Sequence, residues 1–186
     1  MDKDYSGGHQ NLPRLHQSAY QGLATVHWVF TIKDRKTGWL NDQFFLNFQL
    51  ATLHTFSRFS LASPAICLMP DHIHLLVMGV SESSDQRKAI PFLRTHLIAH
   101  LDPFEFQKVP YDHVLRKDER KRDAFATMAG YILANPYRAG LLDSDKENWH
   151  FECSIVPGYP DMEIREEKFW DRYWKIYYRL IEKNAA

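Results

Sequence analysis

Two histidines on one predicted strand could bind a metal ion. In MPDHIHLLV, residues 69–77, His72 and His74 are two positions apart, and in a β-strand this spacing places both side chains on one face. Two neutral imidazoles side by side can hold one divalent ion and leave coordination positions open for a substrate oxygen. A His-x-His pair is equally compatible with two hydrogen-bonded histidines that bind no metal, so the pair alone leaves both interpretations open.

A second segment, GYILANPYRAGL at residues 130–141, offers a tyrosine hydroxyl and a further possible metal ligand. Tyr131 and Asn135 are four residues apart, which places them on one face of a helix. The Tyr131 ring could be half packed with its hydroxyl exposed, and the Asn135 carbonyl oxygen could be a third metal ligand. On spacing alone, a tyrosine at the edge of the core and an asparagine at a helix end before Pro136 is the favoured interpretation.

Several known histidine motifs do not fit this sequence. Position 76 is Leu, so the third histidine of the H-x-H-x-H phosphotransferases is absent, and there are neither paired H-x-T/S motifs nor an H-E-x-x-H motif. His96 and His100 form an i, i+4 pair that could chelate a metal, but a polar helix face is the preferred interpretation.

The hydrophobic periodicity predicts an α+β domain. Strands are predicted over 22–32, 65–69 and 72–80, and a short strand or extended loop over 109–115. Helices are predicted over 42–60, with Asn41 as the N-cap, from Pro91 to Leu101, over 119–135 and over 163–183. Residues 141–162 are predicted to be irregular. Hairpin strands mixed with helices indicate a ferredoxin-like antiparallel sheet with helices packed on it, plus a C-terminal aromatic helix. The predicted division is an N-terminal arm (1–20), a main domain (21–155) and a C-terminal extension (156–186).

The composition restricts the function. The 23 basic and 23 acidic residues give a formal net charge of +0, so any nucleic-acid surface must be a local patch. Cys67 and Cys153 are too far apart in sequence to suggest a disulfide framework, which favours a reducing compartment. Without a signal peptide or an apolar run of about 20 residues, the chain is expected to be cytoplasmic and not bound to a membrane.

The motifs in their order resemble one protein family. MPDHIHLLV, then YDHVLR at 111–116, then YILANPYRAGL are similar to segments of the REP-associated tyrosine transposases, a bacterial branch of the HUH single-tyrosine transposases. The opening strand TVHWVFTI also fits, and WHFECS at 149–154 matches loosely. Asp71 stands where asparagine is commoner in the family, a departure expected to matter little.

The resemblance implies a function and a set of site residues. Tyr131 is the implied catalytic nucleophile, and His72, His74 and Asn135 are the implied ligands of Mg²⁺ or Mn²⁺. The implied activity is cleavage and rejoining of single-stranded DNA near hairpin-forming repeats through a covalent 5′-phosphotyrosine intermediate. The implied partner is DNA with a repetitive palindromic hairpin, and the protein is expected to be a monomer or a dimer.

Candidate DNA contacts lie near the tyrosine helix. Arg116 and Lys117 precede it, Arg138 follows it, and Tyr111 could stack on an unpaired base. Two alternatives stay open: a domesticated protein that binds DNA hairpins without strand transfer, and a metal-dependent RNA-processing nuclease that uses activated water.

Overall fold

The chain folds around one antiparallel sheet. The computed structural model describes residues 15–115, 122–144 and 147–185. Within these residues the strands are β1 (Thr25–Thr31), β2 (Leu61–Met69), β3 (His72–Gly79), β4 (Tyr111–Val114) and β5 (Glu152–Ile155). The α-helices are α1 (Asp42–Phe59), α2 (Gln86–Leu101), α3 (Arg122–Leu133), α4 (Asn135–Arg138) and α5 (Phe169–Ala185).

The sheet has the strand order β4-β1-β3-β2-β5, and its pairings are antiparallel. The run β1-α1-β2-β3-α2-β4 with the spatial order 4-1-3-2 is the ferredoxin-like arrangement, so the predicted α+β fold class is confirmed. Strand β5 extends this sheet by pairing with β2.

The sheet separates two hydrophobic cores. Alternate residues of β3 point to opposite faces: Ile73, Leu75 and Val77 pack with α1 and α2, whereas Leu76 and Met78 pack with α3 and α5. We call these surfaces the α1/α2 face and the α3/α5 face. The two predicted hairpin strands form β2 and β3, joined at Pro70 and Asp71 as expected.

Helix α1 matches its prediction closely. The Asn41 side chain accepts a hydrogen bond from the backbone N–H of Phe44 at 2.9 Å, which is the expected N-cap. Ser60 ends the helix in the left-handed conformation, and its N–H donates to the carbonyl of Phe56.

Helix α2 begins five residues before its predicted start at Pro91. Asp85 caps it by accepting from the backbone N–H of Lys88, so Pro91 lies inside the helix. The buried Gln86 side chain accepts from Trp28 Nε1 at 2.9 Å and donates to the Ala24 carbonyl at 2.9 Å. These contacts with β1 hold the first turn in place, and they are tertiary contacts that the proline pattern does not reveal.

The last residues of the predicted N-terminal arm (1–20) are packed against the rest of the chain. Residues 1–14 lie outside the described residues, but Gln17–Tyr20 form a 3₁₀ turn, and Tyr20 is fully buried. The Tyr20 hydroxyl donates to Asp112 Oδ2 at 2.5 Å, which ties this segment to β4. The last residues of the predicted arm therefore pack against the sheet, and the division into arm, main domain and extension stays a prediction.

The region predicted to be irregular over 141–162 contains β5. Its Cys153 and Glu152 pair with Ile66 and Cys67 of β2. Trp149, just before β5, donates its indole N–H to the carbonyl of Leu68 at 2.7 Å. The WHFECS segment therefore completes the sheet.

The two helical regions after β4 differ from their predicted bounds: α3 ends at Leu133, two residues early, and α5 begins at Phe169, six residues late. Residues 119–121, where the first of these helices was predicted to start, lie outside the described residues. The chain turns at Ala134, so Asn135 is the first residue of a separate short helix, α4. Helix α5 begins at Phe169, and Tyr173 and Tyr177 are buried against β3; the Tyr177 hydroxyl donates to the carbonyl of Gly79 at 3.1 Å. None of the described helices is long and apolar enough to cross a membrane.

Candidate active site

The histidine pair lies on the face that the tyrosine helix covers. Strand alternation puts His72 and His74 on the same side of β3 as Leu76 and Met78. Three α3 residues, Phe125, Ala129 and Ile132, pack against this α3/α5 face. The helix that carries Tyr131 therefore packs on the sheet face of His72 and His74 and not on the Ile73 side.

A continuous row of hydrogen bonds runs through the two histidines. His72 Nε2 and His74 Nε2 are 2.9 Å apart. On the outer side of His72, its Nδ1 lies 2.6 Å from Asp71 Oδ1, and Arg35 pairs with the other Asp71 oxygen at 2.7 Å. On the outer side of His74, its Nδ1 lies 2.9 Å from His27 Nε2. Each histidine of the pair therefore has a second polar partner.

Burial keeps two of these imidazoles neutral. His74 and His27 are each 6% exposed. Burial, followed by the nearby His27 and His72, lowers the pKa of His74 to about 2. Burial, followed by His113 and His72, lowers the pKa of His27 to about 4. Neutral imidazole is the form that coordinates metals, so His74 is in the required state at neutral pH.

Asp71 has more influence than the sequence suggested. Burial acts to raise the pKa of Asp71, but hydrogen bonds from His72 and Arg35 outweigh it and hold the pKa below its usual value. The residue is therefore a carboxylate at neutral pH, and it accepts the Nδ1 proton of His72. The expectation that aspartate at this position matters little is not supported by this contact.

The donor set fits a divalent metal ion. Asp71 accepts from the outer nitrogen of His72, so His72 Nε2 presents a lone pair toward His74 Nε2. When the proton of His74 is also on its outer nitrogen, the two Nε2 lone pairs point toward each other. Their 2.9 Å separation equals that of adjacent corners of an octahedron with bonds of about 2.1 Å, which are about 3.0 Å apart. Two lone pairs at this distance would repel each other, and a divalent ion bound to both nitrogens would remove that repulsion.

Tyr131 and Asn135 meet at the end of α3. The Asn135 amide nitrogen donates to the carbonyls of Tyr131 and Ile132, both at 3.0 Å, which fixes the side chain and leaves Oδ1 as its acceptor atom. Tyr131 is 44% exposed, and the Arg138 guanidinium lies 4.9 Å from the centre of its ring. Arg138, predicted as a DNA contact, thus also packs on the predicted nucleophile.

The structure therefore gathers the predicted site residues into two groups on one side of the sheet. His72 and His74 form the first group, and Tyr131, Asn135 and Arg138 form the second. Within the described residues, no hydrogen bond joins Tyr131 to either histidine of the pair. The relation of the two groups is thus set by the packing of α3 on β2 and β3.

The remaining predicted residues are distributed as follows. Tyr111 lies on the edge strand β4 and is 51% exposed. Val29 of β1 pairs with Tyr111 on one side and with His74 on the other. Because paired residues point to the same face, Tyr111 shares the α3/α5 face with His74. Arg116 and Lys117 lie outside the described residues. His96 Nδ1 bonds the carbonyl of Phe92 and His100 Nδ1 bonds the Asn47 side chain, which supports the polar helix face predicted for this pair.

Sequence reasoning missed three contacts that support the site. His27 lies beside His74 only because β1 pairs with β3, a register that local patterns do not define. Arg165 forms two hydrogen bonds with buried Glu152, at 2.6 and 2.8 Å, and its Nη2 donates to the carbonyl of Leu133 at the end of α3. Neither His27 nor Arg165 stands next to a motif residue in the sequence, whereas Asp71, which also supports the site, directly precedes His72.

The fold and site define a ferredoxin-like α+β protein whose histidine pair and tyrosine helix share one sheet face. A Haemophilus influenzae protein described as "Putative REP-associated tyrosine transposase" is 26% identical over 167 residues, covering 74% of this chain and 91% of the relative. No family model matches the chain.

A solved structure has a similar fold. It is described as "Structure of the REP associates tyrosine transposase bound to a REP hairpin" and matches with a TM-score of 0.62 and 17% identity, covering 77% of this chain and 82% of that one. The resemblance to the REP-associated tyrosine transposases is therefore confirmed in sequence and in fold.

Proposed function

We propose that this chain is a metal-dependent transposase or endonuclease of the HUH type that cuts and rejoins single-stranded DNA near a hairpin. One observation carries the proposal: His72 and His74 point two ring nitrogens, 2.9 Å apart, from the sheet face on which the Tyr131 helix packs. The similarity to the REP-associated tyrosine transposases supports it.

The proposed metal ligands are His72 Nε2, His74 Nε2 and Asn135 Oδ1. A divalent ion held there, Mg²⁺ or Mn²⁺, supplies Lewis-acid stabilisation of charge on the phosphate oxygens. Imidazole ligands favour Mn²⁺ over Mg²⁺. Asp71 keeps the His72 ring in place by accepting from its outer nitrogen.

Tyr131 is the proposed nucleophile. Its hydroxyl oxygen forms a bond to the phosphorus while the bond from phosphorus to the 3′ oxygen breaks. The phenolic proton passes to solvent, and the departing 3′ oxygen takes up a proton. The products are a 5′-phosphotyrosine and a free 3′-hydroxyl, and reversal with another 3′ end rejoins DNA without a nucleotide cofactor. Arg138, packed over the ring, orients it and brings a positive charge near the attacked phosphate.

The proposed substrate is single-stranded DNA next to a palindromic hairpin, because the solved structure of similar fold is described as bound to a REP hairpin. Exposed Tyr111 is placed to stack on an unpaired base. Arg116 and Lys117 remain proposed phosphate contacts. Such a substrate implies action on bacterial DNA in the cytoplasm.

A labelled DNA assay tests this proposal. A hairpin with a single-stranded flank, labelled at either end, is incubated with the protein and Mg²⁺ or Mn²⁺. The expected products are a protein adduct carrying the 3′ segment and a 5′ segment ending in a free hydroxyl. Cleavage that leaves a free 5′ phosphate and no adduct would indicate activated water instead. If the protein binds the hairpin but does not cleave it with either metal, the result would indicate a domesticated protein that binds DNA hairpins without strand transfer.

A further inference from the structure

His27 is a buried histidine that touches the proposed metal site without being a ligand. It lies on β1, directly opposite Leu76 of β3, and so points to the α3/α5 face. Its Nε2 lies 2.9 Å from His74 Nδ1, and the two rings stack with their centres 5.1 Å apart. Both rings are 6% exposed, so water does not readily replace this contact.

The contact bears on which His74 nitrogen carries the proton. A neutral imidazole has one N–H and one lone pair, and the hydrogen bond made by one nitrogen determines the state of the other. If His27 Nε2 accepts, His74 has its proton on Nδ1 and a lone pair on Nε2. If His27 donates, the His74 proton lies on Nε2 and points at His72 Nε2, where it blocks metal coordination.

The other half of the site is arranged in the same way. Asp71 accepts from His72 Nδ1 at 2.6 Å, so His72 also presents its Nε2 lone pair. The groups that face His27 are His74 on β3 and His113, its register partner on β4. The outer nitrogen of His72 thus faces the Asp71 carboxylate, and the outer nitrogen of His74 faces the His27 imidazole.

We propose that His27 is a positioning residue that holds His74 with its Nε2 lone pair directed at the metal. The proposal rests on the proposed function, since it assumes that His72 and His74 bind a divalent ion. Partners of this kind typically change metal affinity by about 10- to 100-fold when removed.

Calorimetric titration with Mn²⁺ compares the wild type with three variants. His27→Leu fills similar space but cannot accept a hydrogen bond, whereas His27→Gln can accept through its amide oxygen. His54→Leu removes an exposed histidine of α1 on the opposite side of the sheet and is the matched control. Expected Mn²⁺ affinities are at least about 10-fold weaker for His27→Leu, within about 3-fold of wild type for His27→Gln, and unchanged for His54→Leu. Thermal unfolding establishes that each variant is folded.

A measurement on the wild type keeps the proposal testable if His27→Leu does not fold. Zn²⁺ is diamagnetic and binds nitrogen ligands more tightly than Mn²⁺ does. In the Zn²⁺-loaded protein, ¹⁵N NMR of the histidine rings should show His74 with its proton on Nδ1. A proton on Nε2, or a folded His27→Leu variant with wild-type Mn²⁺ affinity, would overturn this proposal alone. Failure of the wild type to bind either ion would overturn the proposed metal site, and this proposal with it.

Discussion

The two faces of the sheet use the same strand for different purposes. Toward the α1/α2 face, β3 contributes Ile73, Leu75 and Val77, which are fully buried among hydrophobic side chains. Toward the α3/α5 face it contributes Leu76 and Met78 at one end and His72 and His74 at the other. On the α1/α2 face the side chains of β3 are hydrophobic and buried. On the α3/α5 face they are hydrophobic at the C-terminal end of β3 and are the two site histidines at its N-terminal end.

This difference shows how the fold separates stability from chemistry. The α1/α2 face can supply hydrophobic stabilisation without constraining the site, since neither histidine of the pair points to it. The α3/α5 face has to fix polar side chains, and it does so through hydrogen-bonded partners. Asp71, itself paired with Arg35, contacts His72, and His27 contacts His74. Substitutions on the two faces should therefore affect different measurements.

Removal of the histidine pair should have the largest effect. The double variant His72→Gln with His74→Gln should lose metal-dependent cleavage by at least about 10³-fold, equivalent to about 4 kcal/mol in the transition state. The measurement is the initial rate of cleavage of the labelled hairpin substrate. Retention of more than a tenth of the wild-type rate by the folded variant would contradict the role of the pair.

A substitution on the opposite face should reduce stability but not chemistry. Leu75→Ala removes a fully buried side chain on the strand residue next to His74, and should lower the free energy of unfolding by about 3 kcal/mol. Cleavage per folded molecule should stay within about 2-fold of wild type below the unfolding transition. Denaturant titration with parallel rate measurements checks this, and a selective loss of rate would show that the two faces are coupled.

The buried ion pair behind α3 should have a slightly smaller effect. Arg165→Met leaves the Glu152 carboxylate, 5% exposed, without its main partner and should cost about 2–3 kcal/mol of stability. Adding Glu152→Gln should recover part of that loss, because the unpaired buried charge is then removed. Chemical denaturation of both variants provides the comparison, and a double variant less stable than Arg165→Met would contradict this explanation.

Acid should also destabilise the protein through the buried histidines, and the effect of each single histidine is the smallest of these four. Their folded-state pKa values, about 4 for His27 and about 2 for His74, lie below the unfolded value of about 6.5, so between these values the unfolded chain binds more protons. Stability should therefore be full above about pH 6.5 and fall on acidification, by about 1–2 kcal/mol for each histidine between pH 7 and pH 5. In His27→Gln the free energy of unfolding should fall less steeply with decreasing pH. An unchanged pH dependence would contradict the assignment of part of the acid effect to His27.

Local patterns predicted the hairpin that carries the site. The alternation in β3 and the Pro70-Asp71 turn place His72 and His74 on one face without knowledge of other strands. Strand β5 was not predicted, because its four residues have no clear alternation of their own and pair with the edge of β2. The start of α2 was predicted too late, since the interactions that hold its first turn come from β1.

In the site, too, the sequence reveals local features but not contacts between residues far apart in the chain. The types and spacing of His72, His74, Tyr131 and Asn135 are visible in the sequence, whereas the contact of His27 with His74 spans 47 residues and depends on strand register. The position of Arg138 over the Tyr131 ring also required the turn at Ala134 that starts α4. Ligands could be proposed from motifs, but the groups that orient them could not.

The formation of a covalent adduct by Tyr131 is the central claim, and two tyrosines of nearly equal exposure allow a matched comparison. Tyr131 is 44% exposed and Tyr137 is 45% exposed. Each is changed to phenylalanine, and the proteins are incubated with the labelled hairpin DNA and Mn²⁺ before denaturing electrophoresis. Wild type and Tyr137→Phe should give the protein–DNA adduct, and Tyr131→Phe should give none. An adduct formed by Tyr131→Phe at the wild-type level would contradict the proposed mechanism.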